Sequence, residues 1–73
     1  NTLRFRMREL ERSMNSIRAK RDRLTDELHR IGDDHQRLAE AGANLAAVEA
    51  ELESAEERWL EMADDLERRG LTA

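Results

Sequence analysis

Two heptad seams run along this chain and fail to join, and that break restricts its fold more than any other feature. From Leu3 the apolar residues Met7, Leu10, Met14, Ile17, Leu24, Leu28 and Ile31 recur at steps of four and three, with Arg21 in the one gap. A second seam runs through Leu38, Ala41, Leu45, Val48, Leu52, Ala55, Trp59, Met62 and Leu66. Apolar residues repeating at this period mark helices that pack along one stripe. A single continuous rod would require an apolar residue near position 34 or 35, where Asp34 and His35 stand instead, preceded by Gly32. Glycine suits the left-handed residue that closes a helix, and Asp33 or Asp34 suits the cap that opens the next one. The sequence therefore predicts an all-α fold, a two-helix antiparallel coiled-coil hairpin. Its helices are expected over about 2–31 and 35–69, with a turn at 32–34 and a disordered tail at 70–73. The competing architecture is one long helix per chain, paired with a second chain.

A register follows if facing residues have numbers that sum to 69. Ile31 then meets Leu38, Leu28 meets Ala41, Leu24 meets Leu45, Arg21 meets Val48, Ile17 meets Leu52, Met14 meets Ala55, Leu10 meets Trp59, Met7 meets Met62 and Leu3 meets Leu66. Every layer pairs an a position with a d position. The expected core is Leu10, Met14, Ile17, Leu24, Leu28, Leu45, Val48, Leu52, Trp59 and Met62, with the pliable methionines filling the irregular space beside the indole. Flanking ion pairs are expected at Arg18–Glu49, Lys20–Glu51 and Arg6–Asp65, with Glu11 and Glu56 in mutual repulsion. The stem of Arg21 is expected to lie along Val48, its guanidinium reaching Glu49 or Glu51. Phe5, Leu60 and Leu71 fall outside the stripe. Gly42 is expected to kink or fray the second helix, since glycine costs about 1 kcal/mol against alanine there, and Gly70 to stop it.

The chain has 73 residues, room for one domain. It lacks cysteine, which excludes disulfides and thiolate metal sites, and it has no apolar run long enough to span a membrane. It opens on Asn1, directly into a helix-like pattern, as a piece of a longer protein would. The net charge of −4 divides unevenly. Residues 1–31 hold nine basic against five acidic residues, whereas residues 32–73 hold four against twelve. Halves of opposite sign attract each other or separate partners.

No catalytic constellation is present, and no glycine-rich phosphate loop. His29, Asp33, Asp34 and His35 gather near the turn, where a divalent ion is one reading and helix capping and solvation the simpler one. The acids of the second half are too evenly spread to single out an acid–base pair. The basic residues of the first helix form the candidate site. Arg8, Arg12, Arg23 and Arg30 fall at outward heptad positions, and Arg4, Arg18 and Lys20 at the flanks. Together they line one side of a rod as a phosphate backbone requires. No aromatic is interleaved among them, so contact is expected to be salt-sensitive, weak and indifferent to base sequence.

Three stretches carry a family likeness. The opening Arg8-Glu9-Leu10-Glu11-Arg12, with Met14, follows a basic start; a segment from Asp34 to Leu52 follows the turn, with Ala41 where leucine is commoner; and Glu56-Glu57-Arg58-Trp59-Leu60-Glu61, with Met62, Ala63 and Leu66, closes the second helix. In these the chain resembles the C-terminal coiled-coil domain of ABC-F family ATPases, the Uup-like group.

The resemblance implies a non-catalytic accessory hairpin of a cytoplasmic ATP-binding protein that has two ATP-binding cassettes and no membrane domain. ATP, magnesium and hydrolysis would belong to those cassettes, leaving this segment without a cofactor of its own. Family members act on the ribosome in translation, and the hairpin is associated with DNA binding and with contacts to the ribosome or to its own cassettes. The implied partners are therefore nucleic acid or ribosome and the parent cassettes, with a monomer favoured over a homodimer. The acidic second helix leaves the first as the only face for nucleic acid. The alternative is a protein–protein coiled-coil module for oligomerisation or for docking on its parent.

Overall fold

The computed structural model describes residues 2–70, and the chain is a helical hairpin 55 Å long and 16 by 14 Å across. Helix α1 runs Leu3–Arg30 and helix α2 runs His35–Arg68, and they pack against each other antiparallel. No strand occurs among the described residues. Each helix opens on a side-chain cap. The Thr2 hydroxyl accepts from the Phe5 amide at 3.1 Å, and an Asp34 carboxylate oxygen accepts from the Arg37 amide at 3.1 Å. Both bonds satisfy an amide that the first turn leaves without a helical partner.

The turn departs from the glycine mechanism expected at Gly32. Ile31 closes α1 in an extended conformation, φ −75° and ψ 126°, and its amide still donates to the Glu27 and Leu28 carbonyls. Among the described residues only Gly70 has a positive φ, at 72°. Extending Ile31 redirects the chain while leaving its side chain half-buried beside the seam, so no left-handed residue is required. At the far end of α2, Arg69 caps the helix and the Gly70 amide donates to the Glu67 carbonyl at 3.0 Å. Of the tail expected to be disordered, residues 71–73 lie outside the described residues, and Leu71 with them.

All eighteen seam positions are buried or half-buried, including Arg21. Met7, Met14, Ala41, Val48, Leu52, Ala55 and Leu66 are buried, and Ala55 is 0% exposed. Leu10, Ile17, Leu24, Leu28, Leu45, Trp59 and Met62 are half-buried. Met14, Leu52 and Ala55 form the central cluster, flanked by Leu10, Ile17 and Trp59. Those six residues are three successive layers, and the alanine at the middle layer lets the helices approach around Met14. No large side chain among the described residues is fully buried. Two helices cover only one stripe of each other, so each large residue contributes less than the about 1.5–3 kcal/mol of full burial.

Helix α2 passes through Gly42 without interruption, contrary to the kink expected there. Packing on α1 on both sides, at Ala41 and Leu45, offsets glycine's poor intrinsic propensity.

Candidate nucleic-acid interface

The basic residues of α1 are set outward by the same seam that buries its apolar ones. Arg4, Arg8, Arg12, Lys20, Arg23 and Arg30 are exposed, and Arg18 is half-buried. Their partners separate them. Arg12 is held by Glu9, one turn back on its own helix, at 2.8 Å. Arg18 crosses to α2, where its Nη2 lies 3.6 Å from Glu56, and it also donates to Asn15. Arg8, Lys20, Arg23 and Arg30 make no ion pair with the described residues. The seven cations are thus spread along α1 and not gathered at one point, and four of them have their charge uncommitted.

Several flanking contacts differ from the expected ones. Arg18 selects Glu56 over Glu49. Lys20 and Arg6 pair with nothing described, while Asp65 is taken by Arg68 and Arg69 of its own helix, at 3.9 and 3.1 Å. Arg21 turns its guanidinium onto the adjacent Asp22, at 3.1 and 3.2 Å, instead of reaching Glu49 or Glu51. For Arg21 and Asp65 a partner near in sequence is reached with less side-chain ordering than one across the seam, whereas Arg18 still crosses to α2. Exposed pairs differ by only a few tenths of a kcal/mol, so small differences in reach decide among them.

The expected repulsion between Glu11 and Glu56 is resolved by two contacts. Trp59 Nε1 donates to Glu11 Oε1 at 3.0 Å, and Glu56 faces Arg18. An indole N–H at a half-buried position needs an acceptor, and Glu11 at the flank of the Leu10 layer is the carboxylate nearest to hand. That requirement was the signal available in the sequence.

The acidic side is equally exposed. Glu49, Glu53, Glu57, Glu61 and Glu67 of α2 have exposed side chains and form no ion pair with the described residues. The hairpin is therefore electrically two-sided, with available cations along α1 and available carboxylates along α2. Around the turn, Asp34 serves as the cap of α2, and among the described residues no three His, Cys, Asp or Glu side chains are placed to hold a metal ion. Among the described residues, no helix is long and apolar enough to cross a membrane.

Comparison with known proteins adds one finding to this geometry. The family model described as ABC transporter C-terminal domain matches residues 1–64. No curated protein and no solved structure matches the chain.

Proposed function

Because the chain belongs to the ABC transporter C-terminal domain family, we propose that it is a non-catalytic accessory hairpin of an ABC-F, Uup-like ATPase and that it contacts nucleic acid through α1. The observation that carries this reading is the set of cations without carboxylate partners, Arg8, Lys20, Arg23 and Arg30, on the outside of one straight helix. Phosphates can be neutralised there without first breaking an ion pair. Arg12 and Arg18 contribute less, since each would have to exchange a carboxylate for a phosphate. Arg4 extends the row toward the open end. DNA and ribosomal RNA present the same phosphate chemistry to such a row, so the contact positions the hairpin and reads no bases. On this reading ATP and magnesium would belong to the cassettes of the parent protein, and the hairpin would work beside them in the cytoplasm.

The test is a titration of the chain against a DNA duplex and a ribosomal RNA hairpin at several salt concentrations. Binding should weaken steeply with salt. Reversing Arg8, Arg23 and Arg30 to glutamate together should lower affinity by at least about tenfold and flatten the salt slope by about 2–3. Absence of binding at low ionic strength, or binding indifferent to the triple reversal, would reject the reading.

A further inference from the structure

Two concavities open on one face of the hairpin. The larger, about 570 Å³, lies between Glu11, Met14 and Arg18 of α1 and Glu56, Trp59 and Leu60 of α2. The smaller, about 200 Å³, lies between Met7, Arg8 and Leu66 and shares Glu11 with the first. Leu60 rims the larger one and is 61% exposed. The α1 edge of this face carries Arg4, Arg8 and Arg18 with Glu11 and Asp22 among them, a net positive edge, and the α2 edge carries Glu49, Glu53 and Glu67. The face thus has holes, an apolar knob beside them, and edges of opposite sign.

We propose that a second copy of this chain covers this face, related to the first by a two-fold axis running along the length of the hairpin. That axis sets α1 of each copy against α2 of the other, antiparallel and at the same height. Arg8 and Arg18 on one edge then face the acidic edge of the other copy. A two-fold axis across the hairpin would instead set acidic edge on acidic edge, and like charges in contact are costly. The register within one copy fixes the register between copies. Residue 60 of the second copy stands level with residue 9 of the first, so its Leu60 enters the concavity beside Met7 and Glu11. Glu53 of the second copy stands level with residue 16, within reach of Arg18. Each copy supplies one knob and receives one, which is the self-complementarity that a two-fold interface demands. A face of 55 by 16 Å matches the roughly 800 Å² per partner of a standard interface. The product is a four-helix bundle with every neighbouring pair antiparallel. Arg12, Arg23 and Arg30 stay on its outside while Arg8 lies at the covered edge, so the assembly leaves most of the basic row open, and Leu60 and Glu53 test it without touching that row.

Sedimentation equilibrium of the chain from about 1 to about 500 µM should show a dimer, with the affinity reduced about tenfold or more by Leu60→Asp and also reduced by Glu53→Lys. Both positions are exposed in the single hairpin, and circular dichroism should show unchanged helix content. Spin labels on Asp33→Cys measure the orientation. The lengthwise axis keeps the two turns together, with labels within about 25 Å, whereas a crosswise axis separates them by roughly 50 Å. A chain monomeric throughout that range leaves the face to a different partner and overturns the proposal. A dimer insensitive to Leu60→Asp, or one whose turn labels lie far apart, also overturns it.

Discussion

Trp59 has one hydrogen to donate, and Glu11 takes it. The bond ties α1 to α2 forty-eight positions apart in sequence and orients the indole edge-outward beside Met14. A hydrogen bond to a charged acceptor is worth about 1.5–3 kcal/mol when shielded, and less here, because Glu11 is exposed. A double-mutant cycle on Glu11→Ala and Trp59→Phe, measured by urea denaturation, should give a coupling of about 0.5–1 kcal/mol. A coupling near zero would mean that the indole finds water as good a partner as Glu11. The position of Trp59 in a layer with Leu10 followed from heptad spacing alone. Its partner did not, because spacing places Cβ atoms and says nothing of which flanking carboxylate a donor selects. The same limit explains Arg21, whose guanidinium had three carboxylates within reach and settled on the nearest in sequence.

At the scale of the helix, caps and packing decided the boundaries. Asp34 opens α2 as its side-chain chemistry requires, and that much is written in the residue type. The end of α1 was less legible. Gly32 carried the usual signal for a left-handed turn, but an extended Ile31 satisfied the same carbonyls first. Gly42 shows propensity losing to tertiary packing. It remains helical at a cost, and a β-carbon built there meets nothing within 4 Å. Gly42→Ala should therefore stabilise the hairpin by about 0.5–1 kcal/mol, raising the melting temperature by a few degrees. Thermal denaturation followed by circular dichroism checks this. No change, or a loss, would show that the glycine is needed for a close approach not present in the single hairpin.

Over the whole molecule, the two seams determine the fold and the sign of the charges determines what each limb can offer. The hairpin was legible because its heptads reverse phase across a segment that holds no apolar residue. The family likeness was legible in the closing Glu-Arg-Trp segment and in the basic opening, and the matched range of 1–64 spans both. The state of each arginine was not legible, since whether a cation is committed depends on rotamers and neighbours that a sequence does not rank. Spin labels at Arg12 and Glu57 measure the fold directly. In the hairpin these positions share a level on adjacent helices, and the separation should be under about 30 Å. A continuous helix would set them about 68 Å apart.

Thr2 and Gly70 lie together at one end of a body 55 Å long, and Gly32 lies at the other. Anything joined to the chain at its ends therefore holds it at the base, like the handle of an oar. A swing of about 10° there would carry the tip through about 10 Å, roughly the diameter of a helix. Small rearrangements at the base would become large displacements at Gly32, with neither helix having to bend.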